Sequence, residues 1–237
     1  MVNYDTSLIA KYFFGKNMFT SIFINGSFQT SLIGLSLISN LLIATPSAQP
    51  AHVLGSHEFS LGKRYPDKWV SDVFKDNILL NIAYMRGIVH NSNIDWNEIE
   101  KPFHYEFKLE KDQVFAFHDD VLPEYQGKVA VSTHAHFNSG EGFKSDGWLI
   151  GDGVCHLASI INWAARDAGL EVLSPTNHNF AAINQIPREY GVAIYNVPGQ
   201  SYSNEVQNLY IRNNKDKPIS LVFDYDGENL KVSVVEN

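Results

Sequence analysis

The segment Gly151–Gly169, GDGVCHLASIINWAARDAG, holds the only cysteine of the chain, and everything else is read outward from it. Val154, Leu157, Ala158, Ile161, Ala164, Ala165 and Ala168 recur at helical spacing and form one core-facing stripe. Cys155 lies off that stripe, in line with Ser159, Asn162 and Arg166 on the polar side of the same helix. Asp152 reads as the N-cap, Gly151 and Gly153 permit a tight turn into the helix, and Gly169 marks its stop. Cys155 therefore falls in the first turn, where unpaired N–H groups and the helix dipole favour a thiolate over a thiol. A lone cysteine is most often a small buried hydrophobe. Placement off the apolar stripe, at a glycine-flanked helix start, makes this one a nucleophile candidate.

The 237 residues suffice for one good-sized domain with accessories, and 15 Phe and 11 Tyr can furnish a substantial core. A formal net charge of −8 without any Lys/Arg cluster argues against a nucleic-acid partner, since phosphate binding needs a basic face. One cysteine cannot make an intrachain disulfide.

Residues 1–50 read as a leader. The uncharged apolar run Ser31–Ala44, SLIGLSLISNLLIA, follows a weakly basic start and precedes small residues at Pro46-Ser47-Ala48. That pattern predicts a signal peptide or a membrane anchor, so the only membrane contact expected is through the amino-terminal segment. Residues 51–102 read as a mainly helical region, with Lys68–Met85 presenting Trp69, Val70, Val73, Phe74, Leu79, Leu80, Ile82 and Ala83 on a broad apolar face. Asn91-Ser92-Asn93 reads as a turn.

From 103 to 237 the period changes. Alternation predicts strands over Phe103–Leu109, Val114–Phe117, Lys128–Phe137, Trp148–Ile150, Leu170–Leu173 and Gly191–Val197. In the tail, Leu209–Arg212, a turn at Asn213–Asp216 and Ile219–Tyr225 read as a hairpin, with a second turn at Asp226-Gly227 before Leu230–Val235. The expected fold is α+β, with several short antiparallel strands around one principal helix that carries the cysteine at its N-terminus, plus the helical amino-terminal region.

A thiolate nucleophile needs a base, and His178 follows the strand after the Cys155 helix, in the polar loop TNHN. His156 is adjacent to the cysteine but about 100° around the helix, which places it less well. His134 and His136 stand two apart on a predicted strand; solvated strand residues, site lining and a zinc site with Cys155 are all open for them, though no standard ligand spacing is present. No metal or cofactor is called for. The amides after Gly153, those of Val154 and Cys155, are the natural oxyanion donors, and Asn177 or Asn179 would orient His178. Asp152 opposes thiolate formation unless its carboxylate turns back to cap the helix.

At these residues the sequence resembles the VanW-like family, whose segment has the form GGGVCQxSTxxYNAAxxAGL. Here Gly151, Gly153, Val154, Cys155 and Ala168-Gly169-Leu170 match it, while Asp152 and His156 stand where the pattern has Gly and Gln. His178 matches the second histidine of the family's HxHS element, Thr176 and Asn179 departing from it. Tyr210-Ile211-Arg212-Asn213-Asn214 through Pro218-Ile219 resembles a second motif, and Val114–His118 a TFSFN strand. The resemblance covers roughly 107–235. It implies extracytoplasmic work on the cell wall, with Cys155 the nucleophile and His178 the base of an L,D-transpeptidase-like acyl transfer from peptidoglycan stem peptides. A stem-peptide hydrolase with the same dyad, or a non-catalytic wall-binding module, are the alternatives.

Overall fold

The computed structural model describes residues 52–89 and 93–237. The expected leader at 1–50, and Asn91 and Ser92 of the expected turn, lie outside the described residues. Among those described, no helix is long and apolar enough to cross a membrane.

The fold is α+β, as the alternating and helical periods predict. Among the described residues it contains two four-stranded sheets and one principal helix. The first sheet runs in the order β1 (His52–Ser60), β8 (Asn229–Glu236), β7 (Ile219–Tyr225) and β2 (Phe103–Leu109), antiparallel throughout. The second runs β4 (Val129–Ser132), β3 (Val114–Ala116), β6 (Tyr210–Arg212) and β5 (Glu171–Leu173). One pairing departs from the antiparallel expectation, since β3 and β4 run parallel.

The helical reading of Lys68–Met85 matches α1 to the residue, capped by Asp67, whose carboxylate accepts from the Trp69 and Val70 amides. Its apolar face is buried from Val73 onward, but Trp69 at the first turn stands exposed. One expectation for the amino-terminal region is corrected. Residues 52–60 are not helical; they form β1, which closes the edge of the first sheet against β8. A Cβ on Gly55 would come within 2.4 Å of the Ala164 carbonyl oxygen, so β1 lies directly on the small-residue stripe of the principal helix. A short helix, α2, spans Trp96–Ile99.

The principal helix, α3 (Val154–Asp167), has every predicted stripe residue buried. It ends as expected, the Gly169 amide donating to Arg166 O and the Leu170 amide to Ala165 O, with Gly169 at φ +69°. Its start differs. The N-cap is Gly153, at φ +97°, and Asp152 caps nothing. A Cβ on Gly153 would meet the Phe74 carbonyl oxygen at 2.6 Å, because α1 packs its backbone against this turn.

The hairpin expected between β6 and β7 does not form; those strands lie in different sheets. The buried Asn213 side chain donates to Leu109 O and Lys217 O and accepts from the Lys215 amide, which steers the connection from one sheet to the other. The Asp226-Gly227 turn does join the hairpin β7–β8, with Asp226 accepting from the Glu228 and Asn229 amides. The Arg212-Asn213 motif is thus a structural joint, Arg212 pairing with Asp112 and Glu171.

Three other predicted strands are cut back. Lys128–Phe137 is a strand only to Ser132, after which His134 and Phe137 take positive φ. Trp148–Ile150 belongs to an exposed loop closed by one bridge between Ser145 and Ile150. Gly191–Val197 pairs only through Val192 with Asn177, and its other backbone partners come from α3 side chains and neighbouring loops.

Candidate active site

The polar side of α3 is a solvent face only at its far end, where Arg166 is exposed. Ser159 and Asn162 are fully buried, covered by the extended run from Tyr190 to Ile194. The Asn162 amide donates to Tyr190 O at 2.8 Å, Ser159 Oγ accepts from the Val192 amide at 2.9 Å, and Cys155 Sγ accepts from the Ile194 amide at 3.4 Å. The register follows from geometry. Two residues of extended chain advance about 6.6 Å, against about 6 Å for the four-residue helix step from Cys155 to Ser159 and about 4.5 Å for the three-residue step to Asn162, so alternate backbone groups meet successive side chains of the stripe. The cysteine is the last rung of this ladder, and Sγ also lies 3.7 Å from Ile194 O.

Cys155 is therefore half-buried against the core, which corrects the expectation of a thiol presented to solvent. Burial pushes its thiol up to about 11; the Ile194 amide works against that rise and the charge of Asp152 adds to it. The favourable helix-start field is outweighed by desolvation.

The predicted oxyanion donors are only half available. The Val154 amide donates to Gly151 O at 3.1 Å, closing the tight turn that the glycines permit. It is therefore spent within the fold, which leaves the Cys155 amide. Asp152 has a different task from capping: its Oδ2 accepts from the Asp146 amide at 3.0 Å and anchors the loop Ser145–Ile150. Burial raises its carboxyl to about 6; the Asp146 amide works against that rise and the Asp146 carboxylate adds to it.

Two cavities meet at the cysteine. The larger, about 430 Å³, is bounded by His136, Phe137, the loop Trp148–Ile150 and the run Ile194–Pro198. The smaller, about 150 Å³, lies on the other side of Cys155 and is walled by Arg64, Phe74, Asp152, His156, His178 and Phe180. Leu149 and Gly151 also border both, and Trp148, 93% exposed, stands at the rim of the larger.

His178 shares the smaller cavity with Cys155, without a hydrogen bond between them. Its Nδ1 lies 3.1 Å from Ala181 O. A carbonyl only accepts, so Nδ1 carries the proton and Nε2 keeps its lone pair. The orienting group is thus a backbone carbonyl. Asn177 and Asn179 do not hold the ring: Asn177 Oδ1 is buried without a partner, and the ring's hydrogen bond goes to Ala181 O. Burial lowers the imidazole of His178, the Ala181 bond opposing it, and the exposed Phe180 ring packs 3.9 Å away.

His156 is 7% exposed and lies against Phe74, its ring 6.4 Å from that of His178. Burial, with the nearby Arg64 charge adding to it, lowers its imidazole to about 3. The other two histidines do not join Cys155 in a metal site. His134 bonds Asp119 and His136 bonds Glu141, and among the described residues no group of three His, Cys, Asp or Glu could hold a metal ion. His136 does border the larger cavity.

Sequence reasoning missed Arg64, Ala181 and Ile194. Arg64 lies in the region read as mainly helical and carries no spacing signature, while Ala181 and Ile194 act through backbone atoms. A family model described as VanW like protein matches residues 108–235, more than half of the chain. No curated protein and no solved structure matches.

Proposed function

The chain belongs to the VanW-like family, and from that premise we propose that it works outside the cytoplasm, at the cell wall, as a cysteine acyltransferase on peptidoglycan stem peptides. Its partner is then the stem peptide, and the membrane is met only through the amino-terminal segment. One observation carries the reading: Cys155 and His178 border the same cavity, with Ala181 O holding the ring so that Nε2 is the free basic nitrogen.

The resting pair is neutral, a thiol and an imidazole. When a peptide carbonyl lies against Sγ, the thiol proton passes to Nε2 as the S–C bond forms. The Cys155 amide donates to the resulting oxyanion. Collapse breaks the C–N bond, and the leaving amine takes the proton from Nε2. An incoming amine, deprotonated by His178, then attacks the thioester and regenerates the thiol; with water in its place the outcome is hydrolysis.

A second reading is favoured by the ladder. Cys155 as the last rung between α3 and Tyr190–Ile194 has a structural task, as a non-catalytic wall-binding module would require.

The test is incubation of the exported chain with muropeptides and mass analysis of products. Transfer yields cross-linked dimers and hydrolysis yields shortened monomers. Cys155→Ala and His178→Gln are each expected to lower turnover by at least about 10³-fold. Peptidoglycan binding with no turnover in the wild type, and the same binding in Cys155→Ala, would establish the module reading instead.

A further inference from the structure

The smaller cavity contains a cation with nothing to balance it. Arg64 is 2% exposed. Its Nε donates to Ser60 O at 2.8 Å, and Nη2 donates to Asn184 O at 3.1 Å and Gln185 Oε1 at 2.6 Å. The guanidinium carbon stands 4.0 Å over the Phe59 ring. All of these neighbours are neutral, and among the described residues no carboxylate pairs with it. The one acidic side chain on the cavity wall, Asp152, is committed to the Asp146 amide. Nη1 is buried without any partner, and so is Nδ1 of His156 beside it.

Buried polar groups are almost always paired, and a buried charge without a counter-charge is costly unless something supplies one. Two unsatisfied nitrogens on one wall, one of them cationic, fit an anion with two oxygens, and a guanidinium matches a carboxylate best. We propose that Arg64 and His156 form a carboxylate-binding subsite, which receives the free terminal carboxylate of a peptide whose last residue occupies the cavity beside Cys155. This rests on the acyl-transfer reading. The volume suits one small residue, while the larger cavity across Cys155 takes the rest of the donor. The bond presented to Sγ is then the last peptide bond of the donor, and one small amino acid is the leaving group.

The test uses the Cys155→Ala chain, so that binding is read without turnover. Two short peptides ending in alanine, one with a free carboxylate and one with a carboxamide, are titrated calorimetrically, in both stereochemical forms. The free carboxylate is expected to bind at least 30-fold more tightly, with Arg64→Gln abolishing the difference and His156→Gln reducing it. Should Arg64→Gln fail to fold, the carboxylate-to-carboxamide ratio and the His156→Gln variant still decide. Equal affinity for the two peptides, binding of neither, or a preference that survives in the folded Arg64→Gln variant would overturn the subsite. Carboxylate preference without turnover in the wild type upholds the subsite and removes the acyltransferase; turnover indifferent to the terminal group does the reverse.

Discussion

Alkylation of Cys155 by iodoacetamide is expected to climb with pH without levelling off below about pH 10. The thiol stands at about 11 against an ordinary value of 9.0, so at pH 7 the reactive thiolate is about 100-fold scarcer than for an unperturbed cysteine. A more basic thiolate is also a better nucleophile; with a Brønsted slope near 0.45, two pH units return roughly 8-fold. The net expectation at pH 7 is a rate about 10-fold below that of a free thiol, before any loss from restricted access. The slope is thus a sharper readout than the absolute rate. The assay measures pseudo-first-order alkylation of the folded chain from pH 6 to 11, with the unfolded chain in urea as the reference. Replacing Asp152 by Asn removes a secondary cause of the rise and moves the profile to lower pH by a fraction of a unit. A plateau with its midpoint at or below pH 8 would refute the reasoning. It would mean that the thiolate is already formed in the resting protein, and that burial under Ile194 is outweighed by the helix start or by His178.

The remaining predictions concern stability, each read by urea unfolding across pH. His156 has its imidazole lowered to about 3 from an ordinary 6.5, so the stability tied to its neutral ring is complete above pH 6.5 and is lost as pH falls toward 3. The loss approaches about 1.4 kcal/mol per pH unit, and His156→Gln is expected to flatten that acid limb. Asp152 has the opposite sign: its carboxyl, raised from 3.8 to about 6, is better protonated in the fold, so stability is full below pH 3.8 and declines as pH rises through 6. Asp152→Asn is expected to gain about 1 kcal/mol at pH 7 after solvent screening, and nothing at pH 3.5. Gly153→Ala forces a side chain into φ +97° and against the Phe74 carbonyl, with an expected cost of roughly 3 kcal/mol. An unfolding midpoint unchanged by that substitution would show that α1 does not press on the start of α3.

The sequence by itself determined what short-range periodicity and turn chemistry encode. That includes α1 and α3, the seven strands from β2 onward in place if not in length, the Asp226-Gly227 hairpin, the Gly169 stop and the first-turn position of Cys155. It also brought Cys155 and His178 forward, and the structure sets them on one cavity wall. What only the tertiary structure decided are the environments. The stripe Cys155-Ser159-Asn162 reads as solvent-facing because its residues are small and polar, yet that polarity serves the backbone of Tyr190–Ile194. Asp152 has the right residue type for a cap and is drawn away by the Asp146 amide. Arg64 reaches the cavity through long-range bonds to Asn184 and Gln185, which no local pattern encodes. The groups that set the site's chemistry, the Ile194 amide, the Ala181 carbonyl and the Gly151 carbonyl, are backbone atoms. Every residue but proline carries the same ones, so their placement is written only in how distant parts of the chain pack.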